Sequence, residues 1–82
     1  MATTKNEIRE WFLRGIEQGA THLVVVCDTF DHDDYPVFVE SNENVKEVES
    51  EYNGKNMQKV MEVYNLSKDM ENQLNQFRAF NY

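Results

Sequence analysis

Apolar residues recur at helical spacing near the start of the chain. The stripe comprises Ile8, Trp11, Phe12 and Ile16. Thr4 followed three residues later by Glu7 has the form of a capping box, and Gly19 is a typical helix stop. The pattern predicts a helix over residues 5–18.

Two apolar runs after this helix have the composition of β-strands. Residues 22–28 form a continuous run rich in valine, which favours a central strand buried on both faces. Residues 35–40 indicate a second strand, and Pro36 is tolerated there because it stands at the strand start. The residues between the two runs favour turns, so we expect an antiparallel hairpin.

The next segment predicts a second helix followed by a third strand. Ser41 or Asn42 is expected to cap the helix, and Asn53 with Gly54 ends it. Its apolar face comprises Val45, Val48 and Tyr52. Residues 57–66 favour a strand, although their methionines leave a helix open as the alternative.

A final helix is predicted to begin at a Ser67 cap and to use one apolar stripe. That stripe comprises Met70, Leu74 and Phe77. The order helix, strand, strand, helix, strand, helix belongs to the α+β class. If strands two and three share a sheet, the helix between them makes a parallel, right-handed crossover, so we expect a small three-stranded mixed sheet packed with helices. The 82 residues contain no linker or repeat and predict a single domain, 1–82.

Negative charge is concentrated in the middle of the chain. Residues 1–27 are neutral and residues 52–82 carry +1, whereas residues 28–51 hold nine acidic residues and one lysine, a net charge of −8. Duplex nucleic acid is bound by cations that neutralise phosphates, so we expect no direct duplex binding. The acidic segment favours a partner with a basic surface, although an acidic surface can also serve solubility alone.

Composition sets the expected compartment and assembly. Cys27 is the only cysteine, so no internal disulfide can form, and a lone thiol fits a reducing compartment. No apolar run approaches the roughly 20 residues that cross a bilayer, so we expect a cytoplasmic protein without membrane contact. Because a chain of this length buries a small core, we also expect a homo-oligomer.

The loop after the first strand combines acids, an imidazole and aromatic rings, and loops on rigid scaffolds often carry binding residues. The candidate binding residues are Asp28, Thr29, Phe30, Asp31, His32, Asp33, Asp34 and Tyr35, together with Arg78 near the other end of the chain. Rings provide stacking surfaces and arginine can pair with phosphate, so a nucleotide-like small molecule is a second candidate partner. No cofactor is expected.

Metal binding and thiol catalysis are alternatives that use the same loop. Asp28, Asp31 and Asp33 offer oxygen ligands for Mg²⁺ or Ca²⁺, but their spacing lacks the glycine and distal glutamate of an EF-hand. Structural zinc is disfavoured because the chain has no Cys-x-x-Cys pair. A Cys27 thiolate with His32 as its base is disfavoured because nearby carboxylates raise the pKa of a thiol.

Three stretches of the chain resemble a group of short proteins encoded in bacteriophage and prophage genomes. They are residues 21–39 (THLVVVCDTFDHDDYPVFV), 54–66 (GKNMQKVMEVYNL) and 76–82 (QFRAFNY), which together cover about half of the chain. The first stretch contains a motif of the form CDTFDxxDYPV. The resemblance implies a phage protein acting in the host cytoplasm, as an accessory factor that blocks or redirects host machinery, and it implies no catalytic residue.

Two functional hypotheses fit these features. The first is a non-catalytic inhibitor that antagonises host defence, either by binding a basic host protein or by sequestering a nucleotide-like signal between the loop aromatics and Arg78. The second is a small metal-dependent hydrolase of a nucleotide or phosphoester. It would activate water with Asp28, Asp31, His32 and Asp33. The resemblance favours binding over catalysis.

Overall fold

A computed structural model describes residues 4–30, 33–54, 57–76 and 79–82. Its elements are α1 (Lys5–Gln18), β1 (His22–Asp28), β2 (Asp33–Val39), α2 (Val45–Tyr52), β3 (Gln58–Asn65) and α3 (Met70–Leu74). The predicted α+β class and element order are confirmed, and the third strand is a strand and not the alternative helix. None of the described helices is long and apolar enough to cross a membrane.

The three strands form one sheet in the order β2-β1-β3. β1 lies in the centre, as its continuous apolar run predicts, and the predicted hairpin of β1 and β2 is confirmed. Both pairings are antiparallel, so the prediction of a mixed sheet is wrong. The physical reason is that β1 lies between β2 and β3, which run parallel to each other without pairing.

Helices cover both faces of the sheet, and β1 contributes side chains to two cores. Alternation along the strand turns Leu23 and Val25 towards α1 and α3, and Val24 and Val26 towards α2. The core on the α1 side comprises Ile8, Phe12, Leu23, Val25, Tyr64, Leu66, Leu74 and Ala79. The core on the α2 side comprises Val24, Val26, Val39, Val48, Val60 and Val63. The central strand is therefore buried on both faces.

α1 matches its prediction at both ends. The Thr4 Oγ1 atom accepts a hydrogen bond from the Glu7 N–H at 3.2 Å, and Gly19 ends the helix in left-handed backbone with φ of 80°. Gly15 lies on the buried face of the helix. A Cβ atom at Gly15 would lie 2.7 Å from the Leu66 Cδ1 atom, so glycine allows the close approach of α1 to the core.

α2 begins later than predicted. Asn44 caps the helix instead of Ser41 or Asn42, and its side-chain oxygen accepts a hydrogen bond from the Lys46 N–H at 2.9 Å. All three are good capping residues, but a cap at Asn44 starts the helix at the first residue of its apolar face. That face comprises Val45, Val48 and Tyr52, which pack against the sheet as predicted.

α3 is shorter than predicted. Asp69 caps it instead of Ser67, whose N–H and hydroxyl donate hydrogen bonds to the Asn65 side-chain oxygen at 3.0 and 2.6 Å. Ser67 therefore belongs to the turn that leaves β3. The helix ends at Leu74, and Phe77 lies outside the described residues.

The side chain of Gln73 is buried between α3 and the end of β3, with 3% of its surface exposed. Its Oε1 atom accepts a hydrogen bond from the Asn65 N–H at 2.8 Å. Its Nε2 atom donates to the carbonyl oxygens of Asn65 at 2.9 Å and Asp69 at 3.0 Å. The side-chain amide thus accepts from the Asn65 N–H and gives a second donor to two carbonyl oxygens that also accept from the Lys68 N–H at 3.1 Å and the Gln73 N–H at 3.4 Å.

β2 and β3 are the outer strands of the sheet. The carbonyl oxygen of Val39 accepts a hydrogen bond at 2.8 Å from the N–H of Thr21, the residue before β1, and therefore faces β1. Because backbone groups alternate in direction along a strand, Pro36 turns its nitrogen, which carries no hydrogen, to the open edge. At the other edge, the Val63 N–H donates to the Ala79 carbonyl oxygen at 2.8 Å, and the Val63 carbonyl oxygen accepts from the Asn81 N–H at 2.9 Å. The C-terminal residues therefore pair in parallel with β3.

Tyr82 ties this C-terminal segment to α2. Its hydroxyl donates a hydrogen bond to Glu49, and the Lys46 ammonium lies 5.4 Å from the centre of its ring. The pKa of Tyr82 is raised to about 12, mainly by burial and in second place by the hydrogen bond to the Glu49 carboxylate. These contacts help to hold α2 against the sheet.

Candidate functional site

The end of the β1–β2 hairpin carries six of the nine predicted binding residues. Asp28 lies opposite Asp33 in the strand register, and Asp34 lies opposite Cys27. The Asp28 Oδ1 atom accepts a hydrogen bond from the Phe30 N–H at 2.8 Å. This side chain-to-backbone bond fixes the start of the turn. Phe30 itself is 72% exposed.

Thr29 joins the hairpin to the start of β3. Its N–H and its hydroxyl both donate to the Met57 carbonyl oxygen, each at 2.7 Å. Met57 adopts φ of 60°, a left-handed conformation that costs a side chain-bearing residue roughly 1–2 kcal/mol, and it is 58% exposed. Sequence reasoning missed Met57 because it takes part through a backbone carbonyl, which any residue supplies.

Tyr35 lies at the same end of the sheet, on the α2 side. Its hydroxyl accepts a hydrogen bond from the Gln58 side chain. Burial raises the pKa of Tyr35, and the neighbouring Tyr52 and Asp28 raise it further. The C-terminal end of α2 therefore lies close to the hairpin end, and alternation along β2 turns Asp33 to this side as well.

Cys27 is poorly placed to act as a nucleophile. Burial raises the pKa of its thiol, and the Asp34 carboxylate raises it further. Its Sγ atom lies 3.7 Å from the Asp28 carbonyl oxygen. The thiol is therefore favoured over the thiolate at neutral pH, in agreement with the effect predicted from the surrounding acids.

Charge divides between the two sides of the sheet. Glu47 and Glu51 are exposed one turn apart on the outer face of α2. On the α1 side, the Arg9 guanidinium donates hydrogen bonds to both carboxylate oxygens of Glu71 at 2.8 Å. The hairpin end and the outer face of α2 together form what we call the acidic surface, defined by Asp28, Asp33, Glu47 and Glu51.

Three predicted site residues, Asp31, His32 and Arg78, lie outside the described residues. Within residues 4–30, 33–54, 57–76 and 79–82, no three His, Cys, Asp or Glu side chains are placed to hold a metal ion. The ligand set of the hydrolase hypothesis and the arginine of the nucleotide hypothesis therefore stay predictions.

A groove of about 330 Å³ lies at the opposite end of the sheet, where β1 begins and β3 ends. Its lining residues are Ile16, Gly19, Ala20, Thr21, His22, Asn65, Leu66 and Ser67. No sequence pattern predicted this groove, because its walls come from two segments that are far apart in the chain, residues 16–22 and 65–67.

His22 beside this groove makes the stability of the fold depend on pH. Its Nε2 atom is buried and has no hydrogen-bond partner among the described residues, while Nδ1 lies 3.0 Å from the Thr21 hydroxyl. Burial lowers the pKa of His22, and the nearby main chain of Tyr82 opposes this only in part.

The free energy of unfolding should therefore decrease as pH falls through the ordinary histidine pKa of about 6.5, because the unfolded chain takes up a proton more readily than the folded chain. His22→Gln should flatten this pH dependence in urea denaturation series, whereas His32→Gln should retain the part due to His22. An unchanged pH profile in His22→Gln would contradict the assignment.

The two ends of the sheet thus differ in chemistry, one acidic with an exposed ring and the other a mainly apolar groove. Comparison with protein families, curated proteins and solved structures gives no match. The function is therefore inferred from the geometry of the chain itself.

Proposed function

We propose that this chain is a non-catalytic accessory protein of phage type that antagonises a host defence system by covering a basic surface of a host protein. The observation that supports the proposal is the location of the acidic surface on one side and one end of the fold. The α1 side is nearly balanced in charge, because residues 1–27 are neutral.

An uneven charge distribution has consequences for association. The acidic surface attracts and orients a cationic partner before contact, which mainly raises the association rate and selects against acidic partners. Because Asp33, Glu47 and Glu51 are exposed, salt screens the attraction within a Debye length of about 8 Å at physiological ionic strength. Binding that weakens with added salt is therefore the expected signature.

A protein partner is better supported than a nucleotide-like ligand. Asp28 and Asp33 at the hairpin end would repel the phosphates of a nucleotide stacked on Phe30. The hydrolase hypothesis has no metal-binding group among the described residues to support it. We therefore retain binding of a basic protein as the proposed function.

The same proposal includes that the protein forms a homo-oligomer and that it acts in the host cytoplasm. Leu13 and Ile16 are exposed on α1, on the side of the fold away from the acidic surface. Two copies that meet through the α1 side would keep their acidic surfaces apart, which supports self-association there over association through α2.

Charge-neutral variants test the acidic surface. The triple variant Asp33→Asn, Glu47→Gln, Glu51→Gln should bind a synthetic lysine-rich peptide about tenfold more weakly than the unmodified chain at low salt. Exposed charge pairs contribute about 0.5 kcal/mol each, and three such losses amount to about 1.5 kcal/mol, which corresponds to a change of about tenfold in affinity. Isothermal titration calorimetry at two salt concentrations measures this effect.

The matched control neutralises three acids on α1, with Glu7→Gln, Glu10→Gln and Glu17→Gln. It has the same net charge as the triple variant but keeps the acidic surface. Affinity close to that of the unmodified chain is expected for the control. Equal losses in the two variants would show that net charge alone drives binding, and the proposed surface would be wrong.

A further inference from the structure

Phe30 and Met57 are two exposed apolar residues at the end of the sheet that carries the acidic surface. They are 72% and 58% exposed, the two most exposed of the large apolar residues described. Thr29 brings them together, because it precedes Phe30 in the chain and donates two hydrogen bonds to the Met57 carbonyl. We call this pair the apolar tip.

The apolar tip is held in place before any partner binds. The Phe30 N–H is bonded to Asp28, and the Met57 carbonyl is bonded twice to Thr29. Met57 keeps φ of 60° where glycine would be free of strain. Because the backbone at both residues is already ordered, a partner that binds here does not have to order it.

Charge around the apolar tip decides what can cover it. Asp28 and Asp33 stand beside it, so a second copy would bring together two strongly negative hairpins. An anionic lipid surface or a nucleic acid would meet the same repulsion. A protein segment with an apolar face bordered by lysine or arginine satisfies both the ring and the carboxylates.

We propose that the apolar tip is the anchor of the interface and that its partner is a basic amphipathic helix. This inference rests on the proposed function and adds to it the residues that are buried at the centre of the contact. Phe30 and Met57 insert between apolar side chains of the helix, and the carboxylates of the acidic surface pair with the cations along its borders.

Two synthetic peptides of equal positive charge test the anchor. One places leucine at i, i+3, i+4 and i+7 between lysines, and the other replaces every leucine with serine. The unmodified chain should bind the leucine peptide at least about tenfold more tightly, because the anchor buries apolar surface only with that peptide. Calorimetric titration at high salt isolates this preference from the electrostatic attraction.

Phe30→Ser and Met57→Gly should each reduce the preference, and Phe80→Ser, which replaces another exposed phenylalanine, is the matched control that should keep it. Met57→Gly also separates the interface from the fold. Because glycine removes the strain at φ of 60°, this variant should unfold at the same or a higher temperature while it loses the preference.

The outcomes distinguish the anchor from the function on which it rests. A preference that survives Phe30→Ser and Met57→Gly overturns the anchor, and continued salt-sensitive binding of the serine peptide then leaves the proposed function standing. Failure of the unmodified chain to bind either peptide overturns both. Phe30-dependent binding to vesicles containing anionic lipid would overturn the assignment of a protein partner.

Discussion

Replacing Phe12 with alanine should lower the free energy of unfolding by about 3–5 kcal/mol, a large part of the 5–15 kcal/mol typical of a small domain. The Phe12 ring is 1% exposed and meets the buried Tyr64 ring edge to face, with 6.4 Å between their centres. Alanine would leave a cavity between α1 and the sheet and would remove the ring contact. Urea denaturation followed by far-UV circular dichroism measures the loss.

Leu13→Ala is the matched control for this prediction, because it shortens the next side chain of the same helix. Leu13 is 53% exposed, so the control should change the unfolding free energy by less than about 1 kcal/mol. A loss of similar size in both variants would mean that the buried face of α1 has been misassigned.

Gln73→Glu should destabilise the fold by about 3 kcal/mol at neutral pH, although the two side chains have nearly the same size. A carboxylate can still accept the hydrogen bond from the Asn65 N–H. It cannot donate to the Asn65 and Asp69 carbonyl oxygens, and it would bring a negative charge against both of them. Each of the two lost hydrogen bonds costs about 1 kcal/mol, and the negative charge buried against the two carbonyl oxygens adds to that cost.

The defect in Gln73→Glu should depend on pH. Burial beside two carbonyls favours the neutral acid, so the folded-state pKa of the new glutamate is raised above the ordinary value of about 4.3. The stability difference from the unmodified chain should be smallest below that pH and should grow as pH rises to the folded-state pKa. Asn72→Asp, at an exposed position of the same helix, is the control and should show little defect in parallel urea titrations.

Much of the fold follows from local patterns in the sequence. α1 and β1 begin and end where predicted, because a capping box and a stop glycine define the helix and an unbroken apolar run defines the central strand. The caps of α2 and α3 were placed too early. Several residues before each helix can cap it, and only packing of the apolar face against the sheet selects Asn44 and Asp69.

The sheet pairings follow from the central place of β1, which its apolar run predicts, and not from the helix that joins β2 to β3. A helix between two strands predicts that they run parallel, and β2 and β3 do so, but the pattern does not show whether they are neighbours. β1 takes the place between them because it is the strand with apolar side chains on both faces. The irregular register of β3 between Val25 and Val26 of β1 also leaves no sequence signal.

The candidate site was only partly accessible from sequence. The hairpin residues are contiguous, so their proximity could be predicted from one loop. Met57 and Gln58 join them from β3 and its approach, through a backbone carbonyl and a side-chain amide that no motif marks. The groove beside His22 was missed for the same reason, since contacts between distant segments create it.

The position of Pro36 has a consequence for behaviour at high concentration. A strand that extends the sheet at its open edge would need a donor at the proline nitrogen, and that row of hydrogen bonds is interrupted at its middle. Since the C-terminal residues pair with the opposite edge, neither border of the sheet offers a complete template for another chain. Growth into fibrils by successive addition of strands is thereby discouraged.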